Sequence, residues 1–118
     1  MVQLLAGGGA PGEVAVDATA VPHREAKFVV QYDAYWTDPA DEAAATNWIE
    51  GVRSAMLPYA QGAYVNYVDS TLTDYLDQYY GPNLPRLIRV KASVDAENVF
   101  AFAQSIPLAP PSTAAPPA

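Results

Sequence analysis

Apolar and polar residues alternate most clearly over residues 27–36, and this alternation predicts a β-strand. One face of the predicted strand carries only apolar or aromatic residues: Phe28, Val30, Tyr32, Ala34 and Trp36. The other face mixes charged, polar and apolar side chains, a pattern typical of an antiparallel sheet that helices cover on one side. Two further short strands are predicted at residues 2–5 and 13–17.

After this strand the apolar residues recur at steps of three and four, which predicts a helix. Thr37, Asp38 and Pro39 form its start, because a capping side chain is followed by a proline that suits the first turn. Pro58 is predicted to end the helix or to fall in its last turn, and Trp48 is predicted to lie in the core. The apolar stripe comprises Ala40, Ala44, Trp48, Val52, Ala55 and Tyr59.

The second half of the chain has the pattern of two more helices. A short one is predicted to begin at Asp69 or Ser70 and to stop at Gly81. Its apolar face comprises Leu72, Tyr75, Leu76 and Tyr79. The next begins near Pro85, with Leu84, Leu87, Ile88 and Lys91 on one side. Residues 95–98 are predicted as a turn and residues 99–106 as a short helical or extended piece, so the fold class is α+β.

Charge and composition exclude several classes of function. Six Lys and Arg stand against 13 Asp and Glu, giving a net charge of -7 that repels the phosphates of nucleic acids. No apolar run approaches the roughly 20 residues of a membrane-spanning helix, and no targeting signal is present, so a cytoplasmic location is the default. With no cysteine and one histidine, neither a disulfide nor a metal site is expected. Residues 108–118, rich in Pro and Ala, are predicted to be disordered.

The segment Tyr64-Val65-Asn66-Tyr67 places two phenols and an amide within four residues. Extended geometry would put Tyr64 and Asn66 on one side and Tyr67 on the other. Taken alone, the segment is best interpreted as a β-bridge whose tyrosines pack on a helix. The three glycines at residues 7–9 are interpreted as a turn, because no Lys-Ser or Lys-Thr pair follows as in a phosphate-binding loop.

A series of motifs runs from residue 63 to residue 107. It comprises Tyr-Val-Asn-Tyr, Tyr-Tyr-Gly-x-Asn-x-x-Arg-Leu-x-x-Val-Lys, Asp-x-x-Asn and Gln-Ser-Ile-Pro. In this order and spacing the series closely resembles the C-terminal end of the berberine bridge enzyme-like FAD-linked oxidases, flavoenzymes of the vanillyl-alcohol oxidase type. Leu84 and Ala96 depart from the residues usual in that family, an aromatic and a proline, but neither change removes a chemical group.

The resemblance implies a role for five residues. Tyr67 matches the catalytic base, and Tyr64 is assigned to substrate binding. Asn66, Asn98 and Asn83 are assigned to cofactor binding. By resemblance Asn66 lies against the flavin or fixes the loop, and Asn98 matches an asparagine near the flavin ring. Asn83 matches a third recurrent asparagine, although a helix cap explains it nearly as well. A free tyrosine has a pKa of about 10, so a tyrosine that acts as a base needs a neighbour that stabilises phenolate.

The resemblance also implies how the chain is organised. Residues 1–62 correspond to part of a substrate domain, residues 63–107 to the berberine bridge enzyme-like segment, and residues 108–118 to a tail. FAD would be held mainly by a domain absent from this chain, so an upstream FAD-binding polypeptide and a small-molecule substrate are the expected partners. The chain alone is expected to be only marginally stable. A small non-catalytic α+β module for binding or homodimerisation is the alternative.

Overall fold

The computed structural model describes residues 1–111, which fall into two compact units. The first unit comprises Met1–Ala15 and His23–Gln61, and the second comprises Val16–Pro22 and the chain from Gly62 on. Residues 108–111 form no helix or strand. The rest of the predicted disordered tail, residues 112–118, lies outside the described residues.

The first unit contains an antiparallel hairpin of β1 (Val2–Ala6) and β2 (Phe28–Tyr32), in which Val2 pairs with Tyr32 and Ala6 with Phe28. The hairpin confirms the predicted strand at residues 2–5 and the α+β class, whereas β2 is shorter than predicted. Gly7 continues the pairing by donating to Lys27 O at 2.7 Å. A Cβ on Gly7 would come within 2.3 Å of a backbone oxygen, so this position admits only glycine.

The strand predicted at residues 13–17 is wrong. A short 3-10 turn at Ala10–Glu13 stands there instead, followed by irregular chain. Pro11 explains the difference, because its fixed φ suits a tight turn and its nitrogen cannot donate to a strand ladder. Gly9, with a φ of 62°, gives the chain the bend that leads into the turn.

Helix α1 (Glu42–Met56) follows a 3-10 turn at Pro39–Asp41. Asp38 caps that turn by accepting from Ala40 N at 2.9 Å, and the helix ends before Pro58 as predicted. The placement of Trp48 in the core is wrong, because 42% of its surface is exposed. The periodicity of the sequence gives the spacing of apolar residues along the helix, but it does not determine which of two adjacent apolar stripes packs against the rest of the unit. The more shielded apolar positions are Ala45, Ile49, Val52 and Met56.

The second unit contains helices α2 (Tyr75–Tyr80) and α3 (Leu84–Val94), joined by a 3-10 turn at Gly81–Asn83. Helix α3 begins next to Pro85 as predicted, and α2 stops at Gly81 as predicted. The start predicted for α2 is wrong. Asp69 uses its carboxylate in a tight turn, accepting from Thr71 N at 2.9 Å and Thr71 Oγ1 at 2.6 Å, and the helix begins only after Asp74.

The core of the second unit is formed by Leu72, Tyr79 and Tyr80, which are at most 9% exposed. The partly buried residues around it are Ala63, Val65, Tyr75, Leu76, Leu84, Leu87 and Ile106. Residues 99–106 adopt neither helix nor strand, but Ile106 anchors this segment on the core. Within residues 1–111, none of the helices combines the length and apolar character needed to span a bilayer.

Candidate functional site

The predicted site residues Tyr64, Asn66 and Tyr67 lie together in one segment, which we call the tyrosine loop (residues 63–69). Tyr67 N donates to Tyr64 O at 2.8 Å, so this segment is a β-turn. The two phenol rings meet edge to face, with centroids 5.5 Å apart and planes at 74°. Asn66 Nδ2 donates to the Tyr64 hydroxyl at 2.8 Å. The β-bridge interpretation, which separated Tyr67 from Tyr64 and Asn66, is therefore wrong.

Both ends of the tyrosine loop are attached to α2. Ala63 N donates to Gln78 O at 2.9 Å, and Asp69 N donates to the Tyr79 hydroxyl at 3.0 Å. Val65 packs against the core between these two attachments. The turn thus presents the two phenols outward from a base that a helix holds.

The phenol groups of the loop remain accessible. Tyr64 is 38% exposed and Tyr67 is 50% exposed. Within residues 1–111, the Tyr67 hydroxyl makes no hydrogen bond, whereas the Tyr64 hydroxyl already accepts from Asn66. The Tyr67 hydroxyl can therefore donate to or accept from a ligand, whereas the Tyr64 hydroxyl, which already accepts one bond, can still donate its own hydrogen.

Asn83 lies outside the tyrosine loop, in a buried position with 5% of its surface exposed. Its Nδ2 donates to Val16 O at 2.8 Å and to Thr19 O at 3.1 Å, which attaches residues 16–19 to the rest of the second unit. Asn83 does precede α3, but its side chain makes no capping hydrogen bond, so the alternative interpretation as a side-chain cap is wrong. Its contact with a flavin stays a prediction.

Asn98 closes the turn that follows α3. It is exposed, its N–H donates to Asp95 O at 2.9 Å, and its φ is 54°. A left-handed backbone favours Asn among non-glycine residues, so local geometry alone accounts for asparagine here. A role near a flavin stays a prediction for this residue as well.

The sequence did not predict that Asp95 holds this turn together. Its two carboxylate oxygens accept from Val99 N at 2.8 Å and from Phe100 N at 3.1 Å, and the Lys91 ammonium donates to it. The hydrogen bond from Lys91 is the main cause that lowers the pKa of the Asp95 carboxyl below its ordinary value. Lys91, which the helical pattern placed beside apolar residues, also donates to Phe100 O at 2.6 Å.

Gln104 is a second buried polar residue whose role the motif did not reveal. It is 6% exposed, and its Nε2 donates to Asp69 O at 2.8 Å and to Leu72 O at 3.2 Å. Its Oε1 accepts from the Tyr79 hydroxyl at 3.2 Å. These partners lie 25 to 35 residues away, so only the folded chain reveals them.

The polar groups of the tyrosine loop, which contains no Lys or Arg, fit the ring system of a flavin better than its phosphates. The tyrosine loop offers phenol oxygens and the Asn66 amide, which can both donate and accept. The glycine-rich turn of the first unit leads into the 3-10 turn at Ala10–Glu13, not into a helix whose N–H groups could bind phosphate. The described residues therefore suit contact with a ring or a substrate.

Comparison with known proteins gives a consistent result. Residues 63–107 match the family model described as berberine and berberine-like. The chain is 44% identical over 100 residues to an uncharacterized FAD-linked oxidoreductase, YgaK, of Bacillus subtilis (strain 168), covering 85% of this chain and 22% of that protein. It is 34% identical to berberine bridge enzyme-like 12 of Arabidopsis thaliana, over 89% of this chain and 23% of that one.

A solved structure shares the fold of this chain. The glycopeptide hexose oxidase DBV29, crystallised with teicoplanin, superposes with a TM-score of 0.81 at 35% identity, over 89% of this chain and 25% of that chain. The chain thus spans about a quarter of the length of the proteins that it matches. Three quarters of each relative therefore have no counterpart in these residues.

Proposed function

Residues 63–107 belong to the berberine and berberine-like family, and from that premise we propose that this chain supplies part of the active site of an FAD-dependent oxidoreductase. Its relatives over most of its length are FAD-linked oxidoreductases. The observation that carries the proposal is the tyrosine loop: the Tyr67 hydroxyl is accessible, has no hydrogen bond within residues 1–111, and lies in a loop attached at both ends to α2.

Tyr67 is the proposed general base. Its oxygen would take the proton of a substrate hydroxyl group while the adjacent C–H bond breaks. A phenol is mostly protonated at neutral pH, so its oxygen needs a hydrogen-bond donor or a cation to act in this way. We place that donor in the flavin-binding part of the protein, which is the proposed partner of this chain.

Tyr64 and Asn66 have a supporting role in this proposal. The edge of one phenol against the face of the other fixes the orientation of the Tyr67 ring. The hydrogen bond from Asn66 to the Tyr64 hydroxyl holds that pair, and the remaining amide oxygen can face the cofactor or the substrate. Tyr64 would contact the substrate.

FAD, when bound, supplies the acceptor for the hydride that leaves the substrate carbon. Asn66 and Asn98 are the proposed contacts to its ring, because both are exposed and carry amides. Asn83 is the third candidate, although its amide nitrogen already serves two backbone carbonyls.

The proposed substrate is a small molecule with an oxidisable hydroxyl group: an alcohol, a sugar or a phenolic metabolite. The hexose oxidase of similar fold supports a sugar. The berberine bridge enzyme-like relatives support a secondary metabolite.

The decisive experiment replaces Tyr67 with Phe in the FAD-loaded protein that contains this chain, called the holoprotein below. The change removes only the hydroxyl, so the fold and the FAD content should stay the same. Loss of general-base catalysis should slow flavin reduction by roughly 10²–10⁴-fold. Stopped-flow absorbance of the flavin measures this rate.

Tyr64→Phe is the matched control, since it removes a phenol oxygen of the same loop and keeps the ring contact. Its effect on the rate should be much smaller than that of Tyr67→Phe. Full flavin reduction by Tyr67→Phe would contradict the proposed base. Loss of FAD from Tyr67→Phe would assign the residue to cofactor binding instead.

An alternative function is a small non-catalytic module that pairs with a second copy. The hairpin favours it, since within residues 1–111 its sheet has only two strands, each of which could pair with a further strand, and Phe28 is 58% exposed and Tyr35 80% exposed. Sedimentation velocity of the purified chain distinguishes the two functions. A stable colourless dimer supports the module, whereas a monomer that binds FAD only together with the remaining part of the oxidoreductase supports the enzyme.

A further inference from the structure

The tyrosine loop has no regular secondary structure, so specific side chains must hold its position. At its C-terminal end, the peptide groups on either side of Asp69 are bonded to two buried side chains. Asp69 N donates to the Tyr79 hydroxyl at 3.0 Å, and Asp69 O accepts from Gln104 Nε2 at 2.8 Å. The attachment is formed two residues from Tyr67.

The two side chains also bond to each other, because the Tyr79 hydroxyl donates to Gln104 Oε1 at 3.2 Å. Tyr79, Gln104 and the backbone of Asp69 therefore form a closed ring of three hydrogen bonds. The second amide hydrogen of Gln104 goes to Leu72 O at 3.2 Å. Each polar atom of the Gln104 amide thus has a partner inside the protein.

Burial makes this arrangement rigid. Tyr79 is 2% exposed and Gln104 is 6% exposed, so water cannot readily replace a lost partner. A buried amide that loses a partner destabilises the fold, so alternative positions of Asp69 are disfavoured. Glutamate in place of Gln104 would bring a carboxylate against two carbonyl oxygens, and asparagine would be one methylene too short. The position requires both the length and the two donors of glutamine.

We propose that Gln104 is a positioning residue for Tyr67, acting through Tyr79 and the backbone of Asp69. This proposal rests on the proposed role of Tyr67 as a base. Gln104 lies 35 residues from Asp69 in sequence, and nothing above assigned it a role. Since a misplacement of about 1 Å can slow a reaction by roughly 10²-fold, a loop that loses this bond should lose rate more than substrate binding.

The test introduces Gln104→Met into the holoprotein, which keeps the size of the side chain and removes its hydrogen bonds. Three quantities are measured: kcat and KM, the FAD content, and the hydrogen exchange of backbone amides. We expect kcat to fall on the order of 10²-fold, with a much smaller change in KM, because Tyr64 lies in the same loop, and with FAD content unchanged. Amides 68–72 should exchange faster, while those of α3 keep their protection.

Ser105→Ala is the matched control, since it removes the hydroxyl next to Gln104. Among residues 1–111 this hydroxyl bonds only within the turn at residues 102–105. It should leave kcat and the exchange of the loop unchanged. Tyr79→Phe removes the other side of the ring and should change kcat and exchange in the same direction as Gln104→Met.

Unchanged kcat and unchanged loop exchange in Gln104→Met would overturn the proposal. Loss of FAD together with faster exchange in α3 would overturn it as well, since Gln104 would then support the fold as a whole. The result for Tyr67→Phe separates the two proposals. If Tyr67→Phe retains full activity while Gln104→Met loosens the loop and slows kcat, Gln104 positions the loop but Tyr67 is not the base.

Discussion

Lys91 and Asp95 form an ion pair across one turn at the C-terminal end of α3. Both side chains are nearly buried, with 11% and 7% of their surface exposed. The same carboxylate accepts the N–H groups of Val99 and Phe100, so one charged pair ends the helix and also starts the segment that leads to Gln104.

This pair predicts a dependence of stability on acid. The pKa of Asp95 is lower in the folded chain than in the unfolded chain. A carboxyl of this kind stabilises the fold above its unfolded pKa, about 3.9, and its contribution is lost as the pH falls through the folded value. Asp95→Asn should therefore unfold more easily in urea at pH 7, with a smaller further loss between pH 5 and pH 2 than the unchanged chain. Glu97→Gln, an exposed neighbour, is the control, and a wild-type acid dependence in Asp95→Asn would refute the assignment.

The raised pKa of Tyr80 predicts that the fold loses stability at high pH, whereas the lowered pKa of Asp95 predicts a loss at low pH. Its pKa is raised, mainly by burial and further by the neighbouring Tyr75 and Tyr79. A raised pKa means that the fold is stabilised below the unfolded value, about 10, and loses this stabilisation as the pH rises through the folded value. When the pH is raised and phenolate absorbance is followed, the unchanged chain should show a step at high pH that coincides with unfolding. Tyr80→Phe should remove this step. Tyr59→Phe, which removes the hydroxyl of an exposed tyrosine, should leave that step in place.

Asn83 predicts a specific loss of structure in residues 16–22. Asn83→Leu keeps the size of the side chain and removes both hydrogen bonds to Val16 and Thr19, so it should lower the free energy of unfolding by about 1–3 kcal/mol. Thermolysin should then cleave within residues 16–22 faster than elsewhere. Arg86→Gln removes the exposed hydrogen bond to Asp17 O and should cost less than about 1 kcal/mol. Equal effects of the two changes would contradict the importance of burial.

Two glycines should respond to alanine with opposite signs. Gly81 ends α2 with a φ of 45° and a ψ of -128°, a conformation that side chains disfavour, so Gly81→Ala should destabilise by about 1–3 kcal/mol. Gly51 lies within α1 with open space around its Cα, so Gly51→Ala should stabilise by roughly 0.5–1 kcal/mol. Urea unfolding monitored by circular dichroism measures both. A stabilising Gly81→Ala would show that the left-handed turn is not required.

The sequence predicted the elements whose signals are local. Pro85 and the spacing of Leu84, Leu87 and Ile88 gave α3, and Asp38 and Pro39 gave the start of the helical segment that contains α1. The start of α2 was mispredicted at Asp69 or Ser70, because an aspartate side chain can stabilise a turn as well as cap a helix, and Asp69 stabilises a turn.

The sequence predicted the site only in part. The resemblance pointed to Tyr64, Asn66 and Tyr67, but period-two geometry separated residues that one turn brings together. The partners of Asn83 lie 64 and 67 residues away, and those of Gln104 25 to 35 away. Contacts of this range depend on packing, which no local pattern encodes.

The hydrogen bond between Asp69 and Gln104 also determines when, during synthesis of the chain, the tyrosine loop can reach its final geometry. A ribosome adds about 5–20 residues per second, so residue 104 follows residue 69 by roughly 2–7 s. During that interval the nascent chain holds Tyr64, Asn66 and Tyr67 but lacks the amide that fixes them. The loop is therefore completed only after residue 104 has been added, and a chain released before residue 104 would carry every residue of the loop without the hydrogen bonds from Gln104.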